Sequence, residues 1–139
     1  MALGVENGLA LAIIADGNAT ALYTDIFVGE EPPIPNNIII VLESAGGRII
    51  NQITEAHIIT VRVRNETYED GKELLHNISV GLVAFSAAHQ GRLIGTIPVQ
   101  YIRATAPGVP LGRDEGANSG RWRFSQTFEV VTKQRITYS

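Results

Sequence analysis

Few side chains in this sequence have types and spacings suited to chemistry. The histidines His57, His76 and His89 stand 19 and 13 residues apart. Neither interval suits two metal ligands on one helix or turn. The expected positions are a strand edge for His57 and a helix surface for His76. Two adjacent carboxylate pairs, Glu30-Glu31 and Asp114-Glu115, lie in stretches rich in glycine and proline. An acid/base pair needs fixed geometry, so neighbouring carboxylates on a loop point to solvent or to another subunit. Arg121-Trp122-Arg123-Phe124 sets arginines beside aromatics, a combination that can bind single-stranded nucleic acid. Strand alternation, however, sends Trp122 and Phe124 to one face and the two arginines to the other. Core aromatics with a charged outer face is the favoured reading. No GxGxxG, P-loop, HExxH, EF-hand or GxSxG pattern occurs. Cysteine is absent, which removes disulfides, thiolate zinc sites and a cysteine nucleophile. The residues therefore point to a protein with no catalytic, metal or cofactor site, and not to an enzyme.

The elements that would position these side chains follow from periodicity. Residues 5 to 15 read as a short helix, with Val5, Leu9, Ala12 and Ile13 on one side and Asp16-Gly17-Asn18 ending it. A first strand is expected over 22–28. The stretch Gly29-Glu-Glu-Pro-Pro-Ile-Pro-Asn-Asn37 is a loop, because prolines cannot donate to a ladder. Ile38 to Glu43 reads as a strand covered on both faces, or covered on one and at a subunit contact on the other. Ser44-Ala-Gly-Gly47 is expected to break it. Over 57–64, Ile59, Val61 and Val63 alternate with Ile58, Thr60, Arg62 and Arg64, which predicts a strand with one apolar and one polar face.

A long helix over 68–85 carries an apolar stripe of Gly71, Leu75, Ile78, Leu82 and Phe85. Thr67 is its N-cap, with Asp70 completing a weak capping box. The helix dipole accounts for Glu66, Glu69, Asp70 and Glu73 at its start. Val80 and Val83 fall on other faces, as exposed singletons or as a partner contact. Leu93 to Arg103 reads as one strand, with Pro98 placing it at an edge or bulge. Residues 105–120 form a long loop, and a final strand runs from Arg121 to about Thr132. The order is helix, three strands, helix, two strands: an α+β domain with about five strands.

A chain of 139 residues suits one such domain. The net charge of −3 argues against a general nucleic-acid binder. Charged residues make up 18% of the chain and hydrophobic ones 45%, which fits either burial of surface in an assembly or a large core. No stretch reaches the ~20 apolar residues of a membrane helix, and Leu9-Ala-Leu-Ala-Ile-Ile-Ala15 follows Glu6 instead of a basic segment, unlike a signal peptide.

Three stretches together resemble the tail-terminator, or minor-capsid, family of long-tailed bacteriophages. The first is Thr24 to Gly47: an aspartate, an apolar strand, glycine, a proline-spaced loop, a second apolar strand, glutamate and paired glycines. The second is Ile59 to Arg64 feeding a helix that begins near Tyr68. The third is Pro107-Gly-Val-Pro-Leu-Gly-Arg-Asp-Glu-Gly116 followed by Trp122 to Val130. The resemblance covers the chain past about residue 5. Two features depart from it: Gly71 and Gly81 in the long helix, and the polar segment between Gly47 and His57.

This resemblance implies two helices on one face of a mixed or antiparallel sheet. It also implies a virion protein, assembled in the host cytoplasm, that forms a homo-oligomeric ring, typically a hexamer, at the head-proximal end of the tail tube. Its partners would be itself, the tail tube protein and the head-tail connector, with DNA only as cargo through the lumen and no membrane. The neighbouring readings are another neck component, such as a head-completion protein, and a tail-tube subunit. The expected interface residues are Glu30, Glu31 and Pro33 in the first loop, Arg62 and Arg64 on a strand, and Leu111, Arg113, Asp114 and Glu115 in the second loop. The two loops are the candidates for axial contacts. Arg62 and Arg64 are expected to pair with Asp114 and Glu115 of an adjacent copy, so that reversing both charges weakens the ring and leaves the subunit folded.

Overall fold

A computed structural model describes residues 5–33, 35–49, 55–88, 93–94, 97–113 and 120–132. The elements in chain order are α1 (Val5–Ala15), β1 (Ile26–Val28), β2 (Ile38–Ile49), β3 (Glu55–Asn65), α2 (Tyr68–Ala88), β4 (Leu93–Ile94), β5 (Ile97–Ala104), β6 (Val109–Arg113) and β7 (Trp122–Thr132). The strands form one mixed sheet in the order β1-β2-β3-β7-β5-β4, with β6 also paired to β7. Among the described strands, only the β1–β2 pair is parallel. The chain is an α+β domain with both helices on one face of this sheet.

The alternation read from the sequence explains the core. Val5, Leu9 and Ile13 of α1 and Leu75, Ile78 and Leu82 of α2 bury against Ile39, Val41, Ile59, Val61, Val63, Phe124, Phe128 and Val130. The opposite face of β2 has a smaller cluster of Phe27, Ile38 and Ile40. This strand is therefore covered on both faces, as its unbroken β-branched run implies. The side chain of Phe85 lies outside the described residues.

Four expectations are corrected. Ser44-Ala-Gly-Gly47 does not end β2. The strand continues to Ile49, and the small residues are absorbed as register shifts between Glu43 and Ala45 and between Ala45 and Arg48, the irregularity that an extra residue in one strand produces. The stretch from Leu93 to Arg103 is not one strand. Leu93 pairs with Pro98 and Ile94 with Ile97, so two residues separate the halves of a tight hairpin. The first strand is confined to Ile26–Val28, because Leu22 makes only an isolated bridge. The stretch 105–120 is not uniformly loop, since Val109–Arg113 pairs with β7. Among the described residues the sheet consequently has seven strands.

The two unexpected glycines of α2 mark close approaches of different kinds. A Cβ on Gly71 would lie 2.6 Å from Phe124 Cε2 and 3.1 Å from Asn65 Cβ, and Phe124 is fixed in the core. A Cβ on Gly81 would meet the carboxylate of Asp16, an exposed side chain that can swing away. Gly71→Ala is expected to lower stability by about 1–2 kcal/mol, because overpacking outweighs the ~1 kcal/mol of helix propensity gained. Gly81→Ala should be neutral or stabilising by up to ~1 kcal/mol. Urea denaturation midpoints of the two variants check this contrast; a similar loss in both would contradict it.

Candidate functional site

The proline loop between β1 and β2 has few donors and many spare carbonyls. Arginines of the sheet supply the missing donors. Gly29 opens the loop with φ +82°, a conformation that favours glycine. Arg64 Nη2 donates to Pro35 O at 2.6 Å and Arg64 Nε to Asn36 O at 3.3 Å. Arg121 Nη1 donates to Pro33 O at 2.6 Å. At the loop's end, Glu66 N donates to Asn37 Oδ1 and Asn36 Nδ2 to Glu66 Oε1, each at 2.9 Å. The loop is thereby tied to the turn that starts α2.

Glu31 completes the anchor. Arg64 and Arg123 are directly opposed across the β3–β7 ladder, where like charges destabilise. Glu31 Oε2 lies 2.5 Å from Arg123 Nη2 and 3.9 Å from Arg64 Nη1, so one carboxylate offsets both guanidiniums. Expected interface residues thus divide. Arg64 is 1% exposed and holds its own chain's loop. This corrects its reading as an outward-facing residue waiting for a neighbouring copy: the proline loop of its own chain covers the polar face of β3 at Arg64. Glu31 is also turned inward. Glu30 and Pro33 are exposed, and Glu30 has no ion-pair partner among the described residues. Arg62 is half-buried opposite Ser125, with Nε lacking a hydrogen-bond partner.

The second cluster of expected residues lies on β6. This strand bonds to β7 on one side, and no described strand lies on its other side. Leu111 and Val109 are 53% and 49% exposed, and Arg113 stacks its guanidinium 5.4 Å from the Trp122 ring. Asp114 and Glu115 lie outside the described residues, as does His89. Between β6 and α2 runs a groove of about 270 Å³, bordered by Tyr68, Lys72, Leu75, His76, Pro107 and Phe124 among others. Sequence reading missed this groove: it is made by Leu75 and Gly108 meeting closely, a contact with no local signal. His76 is exposed on α2, as expected.

His57 is not at a strand edge. It is 1% exposed on β3, with Nδ1 2.9 Å from Glu43 Oε1 and Nε2 3.3 Å from Glu55 Oε2. An ionised carboxylate only accepts, so Nδ1 donates in the first contact. The His57–Glu43 contact ties β3 to β2 at the first register shift. Among the described residues, no group of three His, Asp or Glu side chains is placed to hold a metal ion, and no helix is long and apolar enough to cross a membrane.

No protein-family model and no curated protein matches the chain.

Proposed function

We propose that this chain is a tail-terminator-type subunit, a structural virion protein that closes into a homo-oligomeric ring and caps a phage tail tube. The observation that carries the reading is β6, an edge strand with two half-exposed aliphatic side chains, Val109 and Leu111. Exposed edges invite strand addition, and proteins usually blunt or cover them. β6 is only partly blunted, by its short length, Pro110 and a register shift between Pro110 and Gly112. A neighbouring subunit covering this edge would pair with its backbone and bury the exposed aliphatics.

The arginine-held loop supports the same reading. Its backbone is fixed from beneath while Glu30 and Pro33 stay outside, which suits a preformed contact surface with little ordering cost on binding. Contacts between two different surfaces close a ring when the rotation between neighbours closes. Termination then follows if one rim matches the tube and the other lacks the surface that recruits another tube layer.

Negative-stain microscopy of the purified protein tests this reading. Discrete rings are the expected result, whereas long tubes would identify a tube subunit and small featureless particles would contradict assembly. In infected cells, loss of the protein should leave overlong tail tubes; full-length tails detached from leaking heads would assign it instead to head completion.

A further inference from the structure

Two features of the subunit lack an internal counterpart and are complementary to each other. The first is the outer side of the β1–β2 loop. Glu30 is an exposed carboxylate two residues before Pro32 and Pro33, and the inner side of that loop is held by Arg64, Arg121 and the Glu31–Arg123 pair. The second is the groove between α2 and the start of β6. Its apolar part is Tyr68, Leu75, Pro107 and Phe124, and Lys72 and His76 stand four residues apart on the helix beside it. Among the described residues, neither Lys72 nor His76 has an ion-pair partner. Gln126 adds a fixed amide to the wall, its Nε2 donating to Ala106 O at 2.9 Å.

We propose that the Glu30–Pro33 segment of one copy seats in the α2–β6 groove of the next copy, with Glu30 meeting Lys72 and His76. This rests on the ring reading and names the contact between neighbours, assigning the loop to that contact and not to an axial one. Proline-rich segments suit grooves lined by aromatic and proline side chains, because proline's fixed φ leaves little conformational entropy to lose on docking. The segment is short enough for the groove: Glu30 to Pro33 can reach about 9 Å at ~3.1 Å per residue, against about 12 Å along the helix from Tyr68 to His76 at ~1.5 Å per residue.

The two surfaces cannot meet within one chain. Arg64 and Arg123, which hold the loop, alternate with Val63 and Phe124, which face the helices, so the loop is anchored to the sheet face opposite α2. Loop and groove are different surfaces, which makes the contact heterologous, as a ring requires.

The chain has no cysteine, so cross-linking gives a direct test. Glu30→Cys and His76→Cys, both at exposed positions, are prepared separately, mixed in equal amounts and oxidised. The expected product is a mixed covalent dimer, at least about tenfold more abundant than either self-linked dimer. In parallel, Glu30→Lys should weaken self-association about tenfold, and Lys72→Glu combined with it should restore most of that loss, which is the signature of a direct pair. Rings with neither mixed cross-link nor rescue would overturn this contact and leave the ring reading standing. A monomer with no cross-link would overturn both.

Discussion

Arg64→Glu is expected to abolish a stably folded subunit, whereas Arg62→Glu should leave the fold within about 1 kcal/mol of the parent. Arg64 is buried and donates to Pro35 O and Asn36 O. The substitution removes both bonds and sets a carboxylate near Glu31 in the interior. Leaving a buried charge without compensation costs ~3–5 kcal/mol, and facing a like charge adds to it, so a loss above about 4 kcal/mol is expected. For a domain of this size that lowers the melting temperature by more than roughly 12 °C. Glu31→Gln acts on the same anchor with smaller effect, about 2 kcal/mol, because Glu31 is 22% exposed and its attraction is partly screened. Thermal melts followed by circular dichroism check all three. A cooperative melt of Arg64→Glu near the parent temperature would contradict the anchor. The charge reversal expected to test assembly at both arginines is therefore informative at Arg62 alone.

Leu111→Glu should separate assembly from folding. Leu111 is 53% exposed on β6, so the isolated domain should change by no more than ~0.5 kcal/mol. At the proposed subunit contact the same change buries a charge where an aliphatic side chain belongs. Burying a leucine side chain contributes roughly 2 kcal/mol, and losing it is equivalent to about a 30-fold weaker association. Sedimentation velocity across a concentration series should show the variant dissociating at concentrations where the parent remains assembled. Identical profiles would remove β6 from the interface.

The helices and the alternating strands were legible because their side chains follow one burial rule over many residues. Val5, Leu9 and Ile13 stand at helical spacing, and Ile59, Val61 and Val63 at strand spacing; each set is buried in the structure. The readings that failed depend on neighbours distant in sequence. Ser44-Ala-Gly-Gly47 has the composition of a turn, yet continuous pairing with β3 carries the chain through it with register shifts. Val109–Arg113 has loop composition, and pairing with β7 makes it a strand.

The site divides in the same way. Arg64 is polar at an alternating position, so local pattern places it outside. What puts it inside is the loop of spare carbonyls that folds against it, 28 and 29 residues away in sequence. The three prolines of that loop were the available signal, since their carbonyls need donors from elsewhere. His57 is the converse case: alternation alone places it with Ile59 and Val61 on the buried face, where Glu43 and Glu55 are its polar company. The α2–β6 groove had no such signal, since Pro107 and Gly108 give no hint of the helix they meet.

Self-association is measured directly by light scattering coupled to size exclusion. The predicted result is one species of about six 15.0 kDa subunits, near 90 kDa, whose mass holds on dilution. A single 15.0 kDa species, unchanged at high concentration and on mixing with its cognate tail tube, would contradict it.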